Sequence, residues 1–461
     1  FRQGPFLVTN IVKYPYFILT GSLDKTHPTT RDIYSLTLPF ASPIEYSTSA
    51  DIQVKPLVKT SQYSGAKRAE RVGPSVWQAL YFSIMAGVLA LGLLPVAGPI
   101  FSLAGHDPAV QKYEIEYFRI LVFGAFFTVG SSALSCFYSG RGKTWTVMWV
   151  NFVVTTVNIL FDYLMIFGNG GFPEMGIRGA AWATVIAMGT SWSLFLILML
   201  LPSNQRYFNT LRGWRFDPKL FGRLLYYGLP SGVQFMLEML SFTVFVLLVG
   251  RLGTIELAAT TIAFNINTLA FMPMIGFSIA VSTMVGQRLG ENRPELAEKS
   301  TYSAFILTTA YMVAVAIAYV IVPDLFLAPF RSKTDPTQYE TIRDIGVVLL
   351  RFVAFYSLFD TLNLIFAAAV KGAGDTRFVM VISVLLAWLM MVIPSYVSCV
   401  ILDLGLYWMW TWATLYVSVV GFVFLWRFLG GKWKQMRVIE ILPHHLPSVP
   451  GTDVPPPEAE V

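Results

Sequence analysis

Residues 62–73, QYSGAKRAERVG, repeat the pattern of residues 287–298, QRLGENRPELAE, and both stretches lie beside apolar segments. A second pair repeats in the same way, with SGRGKT at 139–144 matching KGAGDT at 371–376. The two offsets are 225 and 232 residues, so a unit of about half the chain has been duplicated. Duplicated halves in a hydrophobic chain are typical of transporters, in which two similar bundles move about one central site.

The composition places the chain in a bilayer. It is 55% hydrophobic and 13% charged, which leaves too little polar surface to cover a water-soluble globule of 461 residues. Continuous apolar runs without alternation favour helices over a membrane β-barrel. We predict an all-α integral membrane protein with ten clear spans. The spans lie at about 76–101, 120–138, 145–168, 179–201, 224–250, 257–286, 302–323, 345–370, 378–402 and 405–429.

The net charge of +6 reflects membrane topology rather than a nucleic-acid site. Most basic residues fall on the side that carries Lys67, Arg141, Arg212 and Arg288, and fewer fall on the opposite side. The positive-inside bias therefore places this side in the cytoplasm. We expect a multi-pass protein of the plasma (inner) membrane with both termini cytoplasmic, in contact with lipid and without a nucleic-acid partner.

Composition also divides the chain into five segments. Residues 202–223 are basic and bear Pro and Gly, which is typical of a cytoplasmic linker between two lobes, and residues 431–461 are rich in Pro, which predicts a disordered cytoplasmic tail. The predicted domains are an atypical segment at 1–61, the rest of the N-terminal lobe with four spans at 62–201, the linker at 202–223, a C-terminal lobe with six spans at 224–430, and the tail.

Residues 1–61 do not fit the repeat. By the 225-residue offset they should mirror 226–286, which hold two spans, yet their prolines and charges leave no apolar run of 18 residues. A shifted reading frame would preserve length while changing composition. We therefore expect a fragmentary or frameshifted version of the first two helices, with a genuine soluble extension as the alternative.

Three acids fall within predicted spans, where ionisable groups are costly and default to functional candidates. They are Glu238, Asp360 and Asp162. Amide and phenol groups occur near them, and carboxylates with such neighbours could hold a hard cation such as Na⁺, above all at Glu238 and Asp360, or exchange it for a proton. The neighbours are Tyr356 and Asn363 on the helical face of Asp360, Asn158 one turn before Asp162, and Asn265 and Asn267 in the span after Glu238.

An alternative interpretation is structural. The three asparagines Asn158, Asn265 and Asn267 could serve only as hydrogen-bond partners between helices. Enzyme motifs are absent or incomplete: GRGKT lacks the first glycine of a phosphate-binding loop, and no HExxH occurs. We therefore expect no enzymatic activity and no cofactor apart from a coupling ion.

The stretch from Gly228 to Pro294, with its GLP element, mid-span Glu238, LAATTIA, FMPMIG and VGQRLG, resembles the multidrug and toxic compound extrusion (MATE) family of NorM-like type. The resemblance extends over about residues 62–435. It implies two pseudo-repeat six-helix lobes in alternating access, with the acids and Tyr356 of the second lobe at a cation site. It further implies that Asn158 and Asp162 act in proton coupling.

The resemblance and the acids together predict a secondary active antiporter. It would export amphiphilic organic cations in exchange for Na⁺ or H⁺, and it would function as a monomer. A flippase for lipid-linked saccharides of the same broader superfamily is the nearest alternative, although it would be expected to need a basic cavity. A membrane-embedded hydrolase is a further alternative, which the missing motifs disfavour.

Overall fold

A computed structural model describes residues 57–102, 108–333 and 336–439. Twelve helices are labelled here in chain order, with shorter turns between them. They are α1 (57–65), α2 (Val72–Leu91), α3 (Pro108–Ser139), α4 (Thr144–Phe167), α5 (Ile177–Met199), α6 (Pro202–Phe208), α7 (Pro218–Leu252), α8 (Thr254–Gly290), α9 (Pro294–Ile321), α10 (Pro336–Ala373), α11 (Thr376–Ile401) and α12 (Leu406–Leu429). The described residues contain no strand.

Ten of these helices are long and apolar enough to cross a membrane, which confirms the predicted number within the described residues. The first span differs from its predicted bounds of 76–101. Helix α2 ends at Leu91, and a separate short helix follows at Ala97–Ser102. Pro95 explains the break, since it has no N–H for the helical ladder and disfavours helical geometry in the residue before it.

The two lobes pack in the same order. In the first lobe α3 lies against both α2 and α5, and in the second lobe α10 lies against both α9 and α12. Helix α1 corresponds in sequence to the end of α8. Among the described residues of the first lobe, α1 is the only part that matches α7 and α8 of the second lobe. Helices that match in the sequence repeat therefore occupy matching places in the packing of the two lobes.

Close approaches between helices are made possible by small residues. Gly421 of α12 lies so near α10 that a Cβ there would meet the backbone oxygen of Phe359 at 2.7 Å. Glycine at such a crossing lets two membrane helices pack backbone to backbone. This contact fixes α12 beside the half of α10 that carries Asp360.

The linker is more structured than the sequence suggests. Helix α6 occupies Pro202–Phe208, and α7 begins at Pro218, five residues before the predicted end of the linker. Asp217 caps α7 by accepting hydrogen bonds from the backbone N–H groups of Lys219 and Leu220. The linker also docks on α2, where Trp77 donates to the backbone oxygen of Thr210 over 2.6 Å.

The ends of the chain are described only in part. The predicted tail begins with an ordered segment, because Lys432–Gln435 form a 3₁₀ turn and Trp433 is buried against Phe428, with 4.8 Å between ring centroids. Apolar burial of Trp433 outweighs the low overall hydrophobicity from which disorder was predicted. Residues 440–461 lie outside the described residues, as do residues 1–56, where most of the atypical segment falls.

Candidate cation-binding site

Helix α7 carries Glu238 near its middle, half-buried in the second lobe. One turn earlier, Gln234 donates from Nε2 to Glu238 Oε1 over 3.1 Å, and the same nitrogen lies 3.2 Å from Ser383 Oγ on α11. Gln234 and Ser383 are both buried. The carboxylate is thus oriented by an amide that also ties α7 to the neighbouring helix.

Helix α10 supplies the second acid. Asp360 is 8% exposed, and its Oδ1 accepts a hydrogen bond of 2.9 Å from Asn363 Nδ2. Tyr356 lies one turn before Asp360, is also buried, and interacts with it electrostatically. The structure therefore brings Tyr356, Asp360 and Asn363 onto one face of α10, as the spacing predicts.

The two acids belong to one group. Glu238 on α7 and Asp360 on α10 lie within electrostatic range of one another, although burial affects Asp360 more than Glu238 does, and both lie within range of the buried phenol of Tyr416 on α12. Two carboxylates within electrostatic range repel one another, and a cation or a proton bound at either one relieves the repulsion. The group is therefore built to hold positive charge.

Neutral oxygens could complete the coordination of such a cation. The side-chain amide oxygen of Gln234, Oε1, is buried and has no hydrogen-bond partner among the residues that the structure describes. A buried acceptor without a donor is costly, which is expected where a ligand supplies the missing interaction. Over the described ranges no group of three or more His, Cys, Asp and Glu occurs, so the donors here are two carboxylates with amide and hydroxyl oxygens. Such a set suits a hard cation.

The helices that hold the group are irregular nearby. Helix α7 contains Pro230, which cannot donate to the helical ladder, one turn before Gln234. Helix α11 has two π-helical stretches at Ala387–Val392 and Val397–Ile401, on either side of a turn that contains Pro394. Prolines and π-turns of this kind loosen helices and often mark functional sites. Both helices that meet at Gln234 and Ser383 are therefore irregular close to that contact.

The first-lobe pair lies on α4. Asp162 is fully buried at 0% exposure, and Asn158, one turn before it, is half-buried with an Nδ2 atom that has no hydrogen-bond partner in the described part of the chain. The structure thus places Asn158 and Asp162 on one face of α4, apart from the helices that carry Glu238 and Asp360.

The remaining two predicted residues lie on α8. Asn265 is exposed and Asn267 is half-buried. The hydrogen bonds that join described residues do not connect either asparagine to Glu238 or Asp360. These two residues are thus not part of the hydrogen-bonded group, and their role as site residues stays a prediction.

Sequence reasoning missed three members of the group: Gln234, Ser383 and Tyr416. Gln234 could have been found, because it precedes Glu238 by four residues and so shares its helical face. Ser383 and Tyr416 gave no local signal, since their proximity to the acids depends on how α11 and α12 pack.

A family model described as MatE matches residues 56–164 and 230–397, which together exceed half of the chain. The chain belongs to the MatE family. This confirms the resemblance seen in the sequence, and the matched ranges include every candidate site residue except Tyr416. Residues 2–76 are also similar to a family described as an ABC-type uncharacterized transport system, and most of that range lies outside the described residues.

Curated relatives of this MatE chain are named for drug resistance. A probable multidrug resistance protein NorM of Rhizobium meliloti is 29% identical over 337 residues, which cover 73% of this chain and 71% of that one. A protein of the same name from Thermotoga maritima is 25% identical over 378 residues, covering 81% and 79%.

Solved structures share the fold. A MOP superfamily transporter from Pyrococcus furiosus, whose description reports a binding pocket of reverse polarity and suggests a different function, matches with a TM-score of 0.82 and 21% identity. The match covers 94% of this chain and 93% of that one. A multidrug resistance MATE family transporter in an outward-facing conformation matches with a TM-score of 0.80 and 19% identity over 94% and 95% of the two chains. The two-lobed MATE architecture is thus the fold of this protein.

Proposed function

We propose that this protein is a cation-coupled antiporter that exports amphiphilic organic cations by alternating access, as a multi-pass protein of the plasma membrane. The observation that carries the proposal is the pair of interacting acids in the second lobe, Glu238 and Asp360. Their placement between membrane helices is costly unless positive charge is exchanged there. The names of the NorM relatives, which refer to multidrug resistance, support the same function.

The mechanism follows from competition for one group of oxygens. Either Na⁺ or H⁺ neutralises the two carboxylates, and an organic cation does the same, so the two guests exclude one another. The buried tyrosines Tyr356 and Tyr416 lie within electrostatic range of these acids, and aromatic rings near such acids favour a flat cation. Binding of the coupling ion from outside would then release the drug there, and the ion-loaded lobes would return to release the ion inside, where another drug binds.

The acids also argue against the nearest alternative. A flippase for lipid-linked saccharides must accommodate a pyrophosphate, which requires basic groups, whereas the group between α7 and α10 is acidic. The Pyrococcus furiosus transporter is an example within this fold: its binding pocket is described as reversed in polarity, and a different function is suggested for it.

Transport by purified protein in lipid vesicles tests the proposal. An imposed Na⁺ or H⁺ gradient should drive ethidium across the membrane, and Glu238→Gln or Asp360→Asn should abolish this movement while the protein still inserts. Glu174→Gln, in the exposed loop between α4 and α5, is the matched control and should transport normally. Unchanged ethidium transport in both site variants would refute the role of these acids. Gradient swapping identifies the coupling ion.

A further inference from the structure

The glutamines and glycines of the repeated sequence take no part in the acidic group. The structure places them instead between the two lobes, at the end where the linker lies. Here α1 of the first lobe crosses the end of α8 of the second. A Cβ on Gly65 would lie 2.0 Å from the backbone oxygen of Gln287, and a Cβ on Gly290 would lie 2.2 Å from that of Gln62. Each glycine thus receives the backbone of the opposite lobe's glutamine.

The glutamine side chains extend this reciprocity. Gln287 donates from Nε2 to the backbone oxygen of Gly140 over 2.9 Å, and Gln62 donates from Nε2 to that of Gly372 over 3.4 Å. Gly140 and Gly372 are themselves a repeated pair, at the ends of α3 and α10. Each lobe therefore reaches across the interface with the same residue and binds the same turn of the other lobe.

The segment after α12 adds a third bond. The backbone N–H of Val438 donates to Gln62 Oε1 over 2.8 Å, so both ends of this buried amide are satisfied. Trp433 of the same segment belongs to the apolar core of the second lobe, whereas Ile439 packs on that of the first. Lys434 pairs with Glu298 at 2.7 Å. Residues 432–439, named here the strap, thus span the interface.

A transporter that alternates must separate α1 from α8 whenever its cytoplasmic side opens. Both glutamine bonds and the strap bond would then break, and water would replace them. Because a hydrogen bond exchanged for water contributes modestly, each one should shift the ratio of open to closed molecules by about threefold to tenfold.

We propose that Gln62 and Gln287 are paired positioning residues that hold the cytoplasmic side of the two lobes closed, and that the strap fastens this latch. The inference rests on the proposed alternating-access function. It assigns a role to the sequence repeat that the cation site leaves unexplained.

The distance between the lobes tests the latch without any measurement of transport. Cys136 and Cys399, both buried, are replaced by Ser, and spin labels are attached at two exposed positions. One is Ser203→Cys on α6, in the linker segment that is hydrogen-bonded to the first lobe through Asn204, and the other is Lys299→Cys on α9 of the second lobe. Double electron–electron resonance spectroscopy in lipid nanodiscs then gives the populations of molecules with short and with long distances between the two labels.

Loss of the hydrogen-bond donors of Gln62 and Gln287 should favour the conformation in which the two spin labels are far apart. Gln287→Glu keeps the shape but cannot donate, and Gln62→Glu keeps the acceptor for Val438 while losing the donor to Gly372. Each should raise the long-to-short ratio about threefold to tenfold, and the double variant should raise it further. Gln62→Leu and Gln287→Leu remove the donors without burying a charge, and they should act in the same direction.

Gln205→Glu is the matched control, because Gln205 on α6 donates over 2.7 Å to the backbone oxygen of Leu200, a bond that does not cross the interface. Its distances should equal those of the parent. Distances unchanged in the Glu and Leu variants of both latch glutamines would overturn the proposal. Shifted distances without ion-driven ethidium transport in the parent would support the latch and refute the antiport function instead.

Discussion

The two lobes share one backbone plan but carry their candidate site acids on different helices. In the second lobe the acids are Glu238 on α7 and Asp360 on α10, which interact with one another. In the first lobe Asp162 lies on α4 and is fully buried. Duplication thus sets where helices run, whereas single substitutions set where charge can be held.

The counterparts of these acids make the difference plain. At the offset that relates the two glycine turns, Thr128 stands in the first lobe where Asp360 stands in the second, and Pro394 stands in the second where Asp162 stands in the first. The Thr128 hydroxyl donates back to the backbone oxygen of Gly124, within its own helix. The second lobe should therefore provide the principal cation site, and the first lobe should contribute less to ion coupling.

The largest effect is expected at Asp360. Asp360→Asn removes one of the two acidic charges of the site, so ion-driven ethidium transport in vesicles should fall to the level of protein-free vesicles. Thr128→Ala, at the matched position of the first lobe, removes a neutral hydroxyl that donates to Gly124 within its own helix and lies 3.0 Å from Met188 Sδ on α5, and it should leave most transport intact. Comparable losses of transport in the two variants would show that the lobes contribute equally and would contradict a principal cation site in the second lobe.

A smaller effect is expected from Gln234→Leu. Loss of the amide leaves both acids in place but removes the donor that orients Glu238. The Na⁺ or H⁺ concentration for half-maximal transport should rise roughly 10- to 100-fold, as for other groups that orient ion ligands, while the maximal rate persists.

Ser383→Ala sharpens this test, because Ser383 shares the Gln234 nitrogen with Glu238. Its own effect should be weaker, and the double variant should resemble Gln234→Leu alone, since neighbours in one network are not additive. Fully additive effects on the half-maximal concentration would mean that Gln234 and Ser383 act separately.

Asp162→Asn should produce only a partial loss of transport. If the first lobe assists coupling without holding the principal ion, ethidium binding to purified protein should keep its dependence on Na⁺ or pH. Fluorescence anisotropy of bound ethidium measures that dependence. An ion dependence that disappears in Asp162→Asn would move the principal site to α4.

The smallest effect concerns packing. At the 230-residue offset that relates Trp182-Ala183-Thr184 on α5 to Trp412-Ala413-Thr414 on α12, Ser191 is the first-lobe counterpart of Gly421, so Gly421→Ser gives the second lobe the first-lobe residue. The added Cβ would meet the Phe359 backbone at 2.7 Å, so thermal unfolding in detergent should reveal a loss of about 1–3 kcal/mol. A Gly421→Ser protein as stable as its parent would show that the α10–α12 crossing is looser than its first-lobe equivalent.

Much of the fold could be predicted from the sequence, because apolar length and turn residues report spans directly. The end of α2 near Leu91 was misplaced, since residues 92–102 are as apolar as a helix interior. The order around Trp433 was missed, because the burial of one aromatic side chain outweighs the composition of its segment.

The candidate site was predictable in part for a related reason. A charged residue such as Glu238 or Asp360 stands out in an apolar span, and spacing along a helix identifies its immediate neighbours. Groups brought from other helices, such as Ser383 and Tyr416, depend on packing that periodicity does not encode. The repeat at Gln62 and Gln287 was visible in the sequence, but its placement between lobes required the structure.

Competition between ethidium and the coupling ion reports directly whether both bind at Glu238 and Asp360. Ethidium binding to purified protein is titrated while Na⁺ or H⁺ is raised, in the parent and in a Glu238→Gln, Asp360→Asn double variant. We expect one of these ions to weaken ethidium binding to the parent, and the double variant to bind ethidium poorly and without dependence on that ion. Equal weakening by the ion in both proteins would contradict a shared site at the two acids.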